Sequence, residues 1–357
     1  LFSVTKYDCF SKKGVIQLMT FTKQKLILDC DPGTDDSVCL VMALTHPGVE
    51  LLAVTTESGN LTSDITSKNA LKVLEHFNRT DIPVAKGMLH PLIRSHPKDP
   101  YSHGEDGLGN HFFPEPQTRV SELPAALMII EQVMKYPGEV TLVCTAPLTN
   151  LALAIMLKPE IIPLIKKVYH LGGSYGFSEA AFYCATGDSP MSEWNLYVDP
   201  EAARIVYSSG LNLTTVGLDI AYGGKTNITD KTLDRLRTLN TPQGNYAAEI
   251  LDYIEQATSD DKGGFHFRGT IDTAAMCAFL CPQMIKTKKI LISIDTSDTA
   301  SRGMILWDRR LWTKRELSKW DNFFYIETAY DIDETLYQET YYQAIGGIQA
   351  PEEVKYA

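Results

Sequence analysis

The chain has 357 residues, is 44% hydrophobic and carries a net charge of −11 at pH 7, with a pI near 5.2. That length and apolar content suffice for one large α/β domain, and the negative field argues against nucleic acid or an anionic membrane surface as a partner. The short basic runs Lys286-Thr287-Lys288-Lys289 and Arg309-Arg310 are expected to be solvated strand ends.

Residues Leu1 to Leu18 lack the patterning of the rest of the chain, and Met19 sits just ahead of the first clear strand. Residues 1–18 are therefore expected to be a disordered or non-native extension, and 19–357 a single domain. Lys25-Leu26-Ile27-Leu28 reads as a buried strand over 25–30, which Pro32-Gly33 breaks before a helix over 36–45. Asp29, Asp31, Asp35 and Asp36 crowd this one junction. Strand alternation puts the first two on one face, and carboxylates are favoured at a helix N-terminus. All four are expected to converge at the strand's C-terminal end, where so many like charges call for a cation or a substrate. The alternative is that Asp35 or Asp36 merely caps the helix and Asp29 makes a structural hydrogen bond. Hard oxygen ligands without Cys or His favour Ca²⁺ or Mg²⁺ over zinc, and a flexible carboxylate set leans to Ca²⁺.

Further strands are expected at 51–56, 140–145, 167–172 and 213–218, with helices at 64–77, 122–135, 147–157 and 199–209 between them. The last begins in good N-terminal order with Asp199-Pro200-Glu201. This alternation is the form of a mostly parallel sheet covered on both faces. Ser95 to Glu122, rich in Pro, Gly and His, reads as a functional loop over the strand ends. Helices are expected next at 229–239, 243–258 and 272–280, then late strands at 290–294 and 303–307 and a closing helix over 335–345. Seven cysteines without a CxxC pair read as reduced core residues of an intracellular protein. No stretch reads as a membrane span or signal core. The sequons at Asn60, Asn78, Asn212 and Asn227 matter only on a secretory route, and a glycan on Asn60 would block the site.

Asp29-Cys30-Asp31-Pro32-Gly33-Thr34-Asp35-Asp36 resembles the D-x-D-P-G-x-D-D hallmark of the nucleoside hydrolases, metal-dependent N-ribohydrolases of the inosine–uridine type. Glu57 to Asn60, His103 to Gly109, Thr145 to Ala152, Leu171-Gly172-Gly173 and Glu193-Trp194-Asn195 leading into Val198 to Ala203 match in order, so the likeness runs over nearly the whole chain from about Lys25. It implies one α/β domain with a Rossmann-like, mostly parallel sheet and a site at the C-terminal strand ends. It also implies hydrolysis of ribonucleosides to base and ribose, a cytoplasmic role in nucleoside catabolism, and a homodimer or homotetramer. By resemblance Asp31 is base and metal ligand, Asp36 and Asp272 are side-chain ligands and Thr145 offers its carbonyl. Asp35 and Asn60 would hold ribose hydroxyls, with Glu193 and Asn195 on the sugar's other edge. A Ca²⁺ there would chelate the cis hydroxyls and hold the attacking water. Several carboxylates around the ring also suit a transition state that gathers positive charge.

Each assignment has a plainer alternative: a turn residue at Asn60, a strand-end hydroxyl at Thr145, a surface acid at Glu193, a helix cap at Asp272. The departures bear on specificity. Family members that protonate the leaving base with histidine carry it just before the last metal-binding Asp; here that residue is Ile271. His103, or His266 five residues upstream of Ile271, is the substitute considered. Trp194 resembles the purine-preferring branch, which activates its leaving group by stacking, or is simply a core residue; purine nucleosides are therefore expected to be favoured. Gly187-Asp188 stands where Gly-Asn is usual, which weakens any sugar contact from Asp188. Tyr175, Phe177, Phe182 and Tyr183 are expected either to wall the base or to pack their loop. Two competing readings remain. One is a haloacid-dehalogenase-like phosphatase, which Pro32 and the Asp35-Asp36 pair fit poorly. The other is a nucleoside- or ribose-binding protein of the same fold with little or no turnover, for which the missing histidine is the motive.

Overall fold

A computed structural model describes residues 5–10, 16–21, 23–97, 103–179, 181, 189–259, 267–309 and 322–347. Thr5–Phe10 (β1) and Ile16–Phe21 (β2) pair antiparallel in a two-stranded sheet that shares no ladder with the rest of the described chain. The boundary expected at Met19 thus falls inside β2.

The central sheet grows from Gln24–Cys30 (β3), whose Leu26, Ile27 and Leu28 are wholly buried. Their alternation divides the core: Leu26, Leu28 and Cys30 pack in one apolar cluster and Ile27 in the other, on the opposite face. Thr34–Thr45 (α1), Val49–Thr56 (β4), Ser63–His76 (α2) and Val84–Lys86 (β5) follow. Ala125–Lys135 (α3), Val140–Cys144 (β6), Thr149–Leu157 (α4) and Lys167–Leu171 (β7) continue the winding. Next come Trp194–Val198 (α5), Pro200–Ser208 (α6), Leu213–Val216 (β8) and Leu218–Ala221 (α7). Asp230–Thr238 (α8), Pro242–Ser259 (α9) and Thr273–Leu280 (α10) precede Ile285–Ile294 (β9), Ile305–Trp307 (β10), Phe324–Ile332 (β11) and Glu334–Tyr342 (α11).

The nine strands lie in the order β10-β9-β11-β8-β7-β6-β3-β4-β5. β3 is parallel to both neighbours, β4 and β6. The chain winds outward from it through β4 and β5 on one side and through β6, β7 and β8 on the other, so a crevice opens at the carboxyl ends of β3 and β6. Sheets of this type take their ligands there.

The expected elements are present with ends shifted by a few residues, except that 199–209 is preceded by the separate short helix α5. Besides the β1–β2 pair, two strands of the central sheet escape the sequence pattern: β5, with three residues, and β11, which enters between β8 and β9, parallel to the first and antiparallel to the second. The alternation of buried Ile326 and Thr328 with exposed Tyr325 and Glu327 was the available signal for β11. Among the described residues no helix is long and apolar enough to cross a membrane.

Candidate active site

The break after β3 brings Asp31 and Asp36 together. Gly33 caps α1, and Asp36 at the third helical position accepts from the backbone N–H groups of Gly33 and Asp31, both at 3.3 Å. Asn60 Nδ2 and Thr145 Oγ1 donate to the same carboxylate at 3.1 and 2.6 Å, so one side chain ties the turn to the ends of β4 and β6. Asn60 also donates its backbone N–H to Asp31 Oδ2 at 2.5 Å. Gly59 beside it has no room for a side chain, since a Cβ would overlap the Asp31 carboxylate. Asn60 is 9% exposed, and its side-chain amide donates to both the Asp31 carbonyl and Asp36, which rules out glycosylation of the folded chain and a role as a mere turn residue.

Asp272 stands at the N-cap of α10 but makes no capping bond. Its carboxylate joins those of Asp35 and Asp36, with one oxygen from each lying within 4.8 Å of the others. Burial and then the neighbouring carboxylates push Asp31 and Asp272 well above the usual carboxylate range, and the same causes raise Asp36. Asp31 Oδ1 and Asp35 Oδ1 are buried without a hydrogen-bond partner. Orphaned oxygens among crowded acids fit a hard divalent cation, which would satisfy both the lone pairs and the charge.

Asp29 does not join the other three, contrary to expectation. Its Oδ1 accepts from Thr55 Oγ1 at 2.5 Å and Asn150 Nδ2 at 2.9 Å, and burial lifts its pKa to about 7. Asn150 further donates to the Thr56 carbonyl at 3.0 Å and, through its backbone N–H, to Glu57. Asn150 and Glu57 lie in stretches whose pattern is recognisable, yet sequence reasoning gives neither a role.

On the far side of the crevice, Asn195 Nδ2 donates to the carbonyls of Thr145 (2.9 Å) and Leu171 (3.1 Å). Glu193 is 3% exposed and so is no surface acid. It caps α5, accepting from Asn195 N at 2.7 Å, Leu196 N at 3.1 Å and Gly173 N at 3.0 Å, and burial raises it to about 7. Trp194 packs 5.7 Å from Tyr197, its Nε1 buried without a partner. Tyr175 and Phe177 pack their loop: the Tyr175 hydroxyl meets Thr215 Oγ1 at 2.8 Å, and Phe177 stacks on Tyr175 and takes Lys288 Nζ at 3.9 Å.

His103 reaches the start of α1. Its Nδ1 accepts from Thr34 N at 3.2 Å and lies 3.9 Å from Asp35 Oδ1. A Cβ on Gly33 would sit 2.6 Å from that nitrogen, so the turn glycine makes room for the imidazole. Ile271 is half-buried and packs on the core next to Asp272. His266, Asp188, Phe182 and Tyr183 lie outside the described residues.

Known proteins place this geometry. A "pyrimidine-specific ribonucleoside hydrolase RihA" of Shewanella baltica is 37% identical over 284 residues, 80% of this chain and 86% of that protein. A solved plant nucleoside hydrolase superposes with a TM-score of 0.78 at 27% identity, covering 90% of this chain and 98% of its own. The purine-preferring ribonucleoside hydrolase of Gardnerella vaginalis does so at 0.76 and 26%, covering 91% and 98%. Since the profile of the inosine-uridine preferring nucleoside hydrolases also matches residues 26–339, the chain belongs to that family and is a ribonucleoside hydrolase.

Proposed function

We propose that this protein cleaves the N-glycosidic bond of ribonucleosides with the help of a Ca²⁺ ion and favours purine nucleosides. The observation that carries the reading is the cluster of part-buried Asp35 with buried Asp36 and Asp272, with buried Asp31 beside it and two orphaned oxygens among the four, at the point where the sheet changes winding direction. Asp31, Asp36, Asp272 and the Thr145 carbonyl would hold the ion. When bound, it would chelate the ribose cis hydroxyls and acidify a water beside them.

Asp31 then takes the proton of the attacking water, while Asp35 and Asn60 grip the ribose hydroxyls. Asn195 steadies the Thr145 carbonyl. Glu193, with three acceptor positions filled by backbone N–H groups, fixes α5 against β7 and has one lone pair left for the sugar. His103 protonates the leaving base: the Thr34 amide can only donate, so Nδ1 accepts and the neutral ring carries its proton on Nε2. The apolar Ile271 beside Asp272 and the free indole N–H of Trp194 support the purine preference, because a purine accepts a proton at N7 more readily than a pyrimidine does at a carbonyl oxygen. The pyrimidine specificity in the name of the Shewanella baltica relative favours the opposite preference.

Nucleosides are the proposed partners, with neither nucleic acid nor membrane. Cys30, Cys39, Cys144, Cys277 and Cys281 are buried and unpaired in disulfides, which supports a reducing cytoplasm. A homodimer or homotetramer is the proposed state. Release of the free sugar is measured from inosine, uridine and cytidine (ribose) and from 2′-deoxyinosine (2-deoxyribose), with chelator and with added Ca²⁺. The reading expects inosine to react fastest, chelation to stop the reaction and Ca²⁺ to restore it. Loss of one hydroxyl should cost 2′-deoxyinosine a few kcal/mol, on the order of 10²-fold. Faster uridine cleavage would give the preference to pyrimidines, and nucleoside binding without ribose release would make the chain a binding protein.

A further inference from the structure

Asp272 is the ion ligand farthest along the chain from the others, and its helix end does not aim it: it stands in helical backbone geometry (φ −62, ψ −31) without a capping bond. The turn that carries it, Thr270-Ile271-Asp272-Thr273, is held by hydroxyl groups. The Thr270 carbonyl accepts both the backbone N–H of Thr273 at 3.2 Å and its Oγ1 proton at 2.6 Å. That commits the only hydroxyl proton of Thr273. In its 2.9 Å contact with the Tyr337 hydroxyl, Tyr337 is therefore the donor. Thr270 Oγ1 in turn lies 2.8 Å from Thr273 Oγ1 and 3.3 Å from the Tyr341 hydroxyl. Thr270 is 1% exposed and the other three are sealed completely.

Both tyrosines come from α11, where phenylalanine would fill the same space. A buried hydroxyl is costly unless it is bonded, so two of them directed at one turn carry positional information beyond packing. We propose that Tyr337 and Tyr341 are positioning residues that set the Thr270–Thr273 turn so that the Asp272 carboxylate meets Asp36 and completes the cation site. This rests on the reading of Asp272 as a cation ligand. It also makes α11, remote in sequence from the aspartate motif, part of the apparatus that determines cation affinity.

Either Tyr→Phe change leaves no donor stranded: Thr273 keeps its bond to the Thr270 carbonyl, and Thr270 can turn to Thr273. The variants should therefore fold, with metal-free melting curves close to that of the parent. The test is calorimetric titration of the metal-free full chain with Ca²⁺ alone. It compares the parent with Tyr337→Phe/Tyr341→Phe, Thr273→Val, Thr273→Ser and Tyr207→Phe; the Tyr207 hydroxyl is buried elsewhere, 2.8 Å from His170. The double variant and Thr273→Val should bind Ca²⁺ about tenfold or more weakly, since removing the groups that orient a ligand typically costs roughly 10- to 100-fold. Thr273→Ser, which keeps the hydroxyl, and Tyr207→Phe should retain the parent affinity. Excess Ca²⁺ should restore ribose release by the double variant. Parent-like affinity in the double variant, or equal weakening by Tyr207→Phe, overturns the inference while leaving the cation reading intact. A parent that binds no Ca²⁺ overturns the cation reading and this inference with it.

Discussion

Asp31 is held by more of the chain than any motif position suggests: Asn60 pins one oxygen, Gly59 leaves the space it occupies, and the other oxygen is buried unpaired. Asp31→Asn removes the proposed base and one ligand charge without changing side-chain shape. Ribose release should fall by about 10³-fold or more. The metal-free protein should melt at the same temperature or higher, because burial and the charges of Asp36 and Asp35 oppose ionisation here. Turnover within tenfold of the parent would remove Asp31 from the chemistry. His103→Ala should slow inosine cleavage strongly and p-nitrophenyl riboside cleavage little, since a good leaving group needs no proton. Equal losses on both would make His103 a binding residue.

Among the elements, the β1–β2 hairpin stands apart because it extends no ladder of the central sheet. Among the described residues its strands pair only with each other, from Thr5 opposite Phe21 to Phe10 opposite Ile16. Deleting residues 1–21 should leave kcat for inosine within about twofold and the melting temperature within a few degrees, as expected for a segment outside the cooperative core. A loss of activity with the fold retained would show that the hairpin reaches the crevice. β11 differs from it: it joins β8 to β9 across the sheet, so its pairing anchors the late strands to the parallel body.

For the molecule as a whole, buried histidines set a lower limit on working pH. Burial lowers His170 to about 3 and His46 to about 4. The unfolded chain takes up these protons near pH 6.5 while the folded chain refuses them, so their contribution is present above pH 6.5 and is lost as pH falls toward those values. His170 accepts from the Tyr207 hydroxyl through Nδ1 and donates through Nε2 to the Ala146 carbonyl, an arrangement only the neutral ring allows. His170→Gln should be less stable than the parent at pH 7. Its deficit should shrink by on the order of 3 kcal/mol by pH 4, because the variant has no histidine to protonate there. Urea unfolding at both pH values checks this, and a deficit independent of pH would contradict it.

Local pattern determined much of this protein. The apolar run of β3, the Pro32-Gly33 break and the acids around it declare a strand, a turn and a charged helix start, because period, steric limits and like-charge repulsion act over a few residues. What depends on partners distant in the chain was not legible. Asp29 and Asp31 share the motif and the strand period, yet Thr55 and Asn150 claim one while Asn60 claims the other. Glu193 looks the same in sequence whether it faces solvent or caps α5 against β7; the approach of Gly173 decided it. Asp272 could have capped its helix, yet its carboxylate lies with those of Asp35 and Asp36, more than two hundred positions away in the chain. Propensity and charge are properties of neighbours in the chain, whereas the partners of a buried carboxylate are delivered by the sheet order, and that order exists only once the strands have paired.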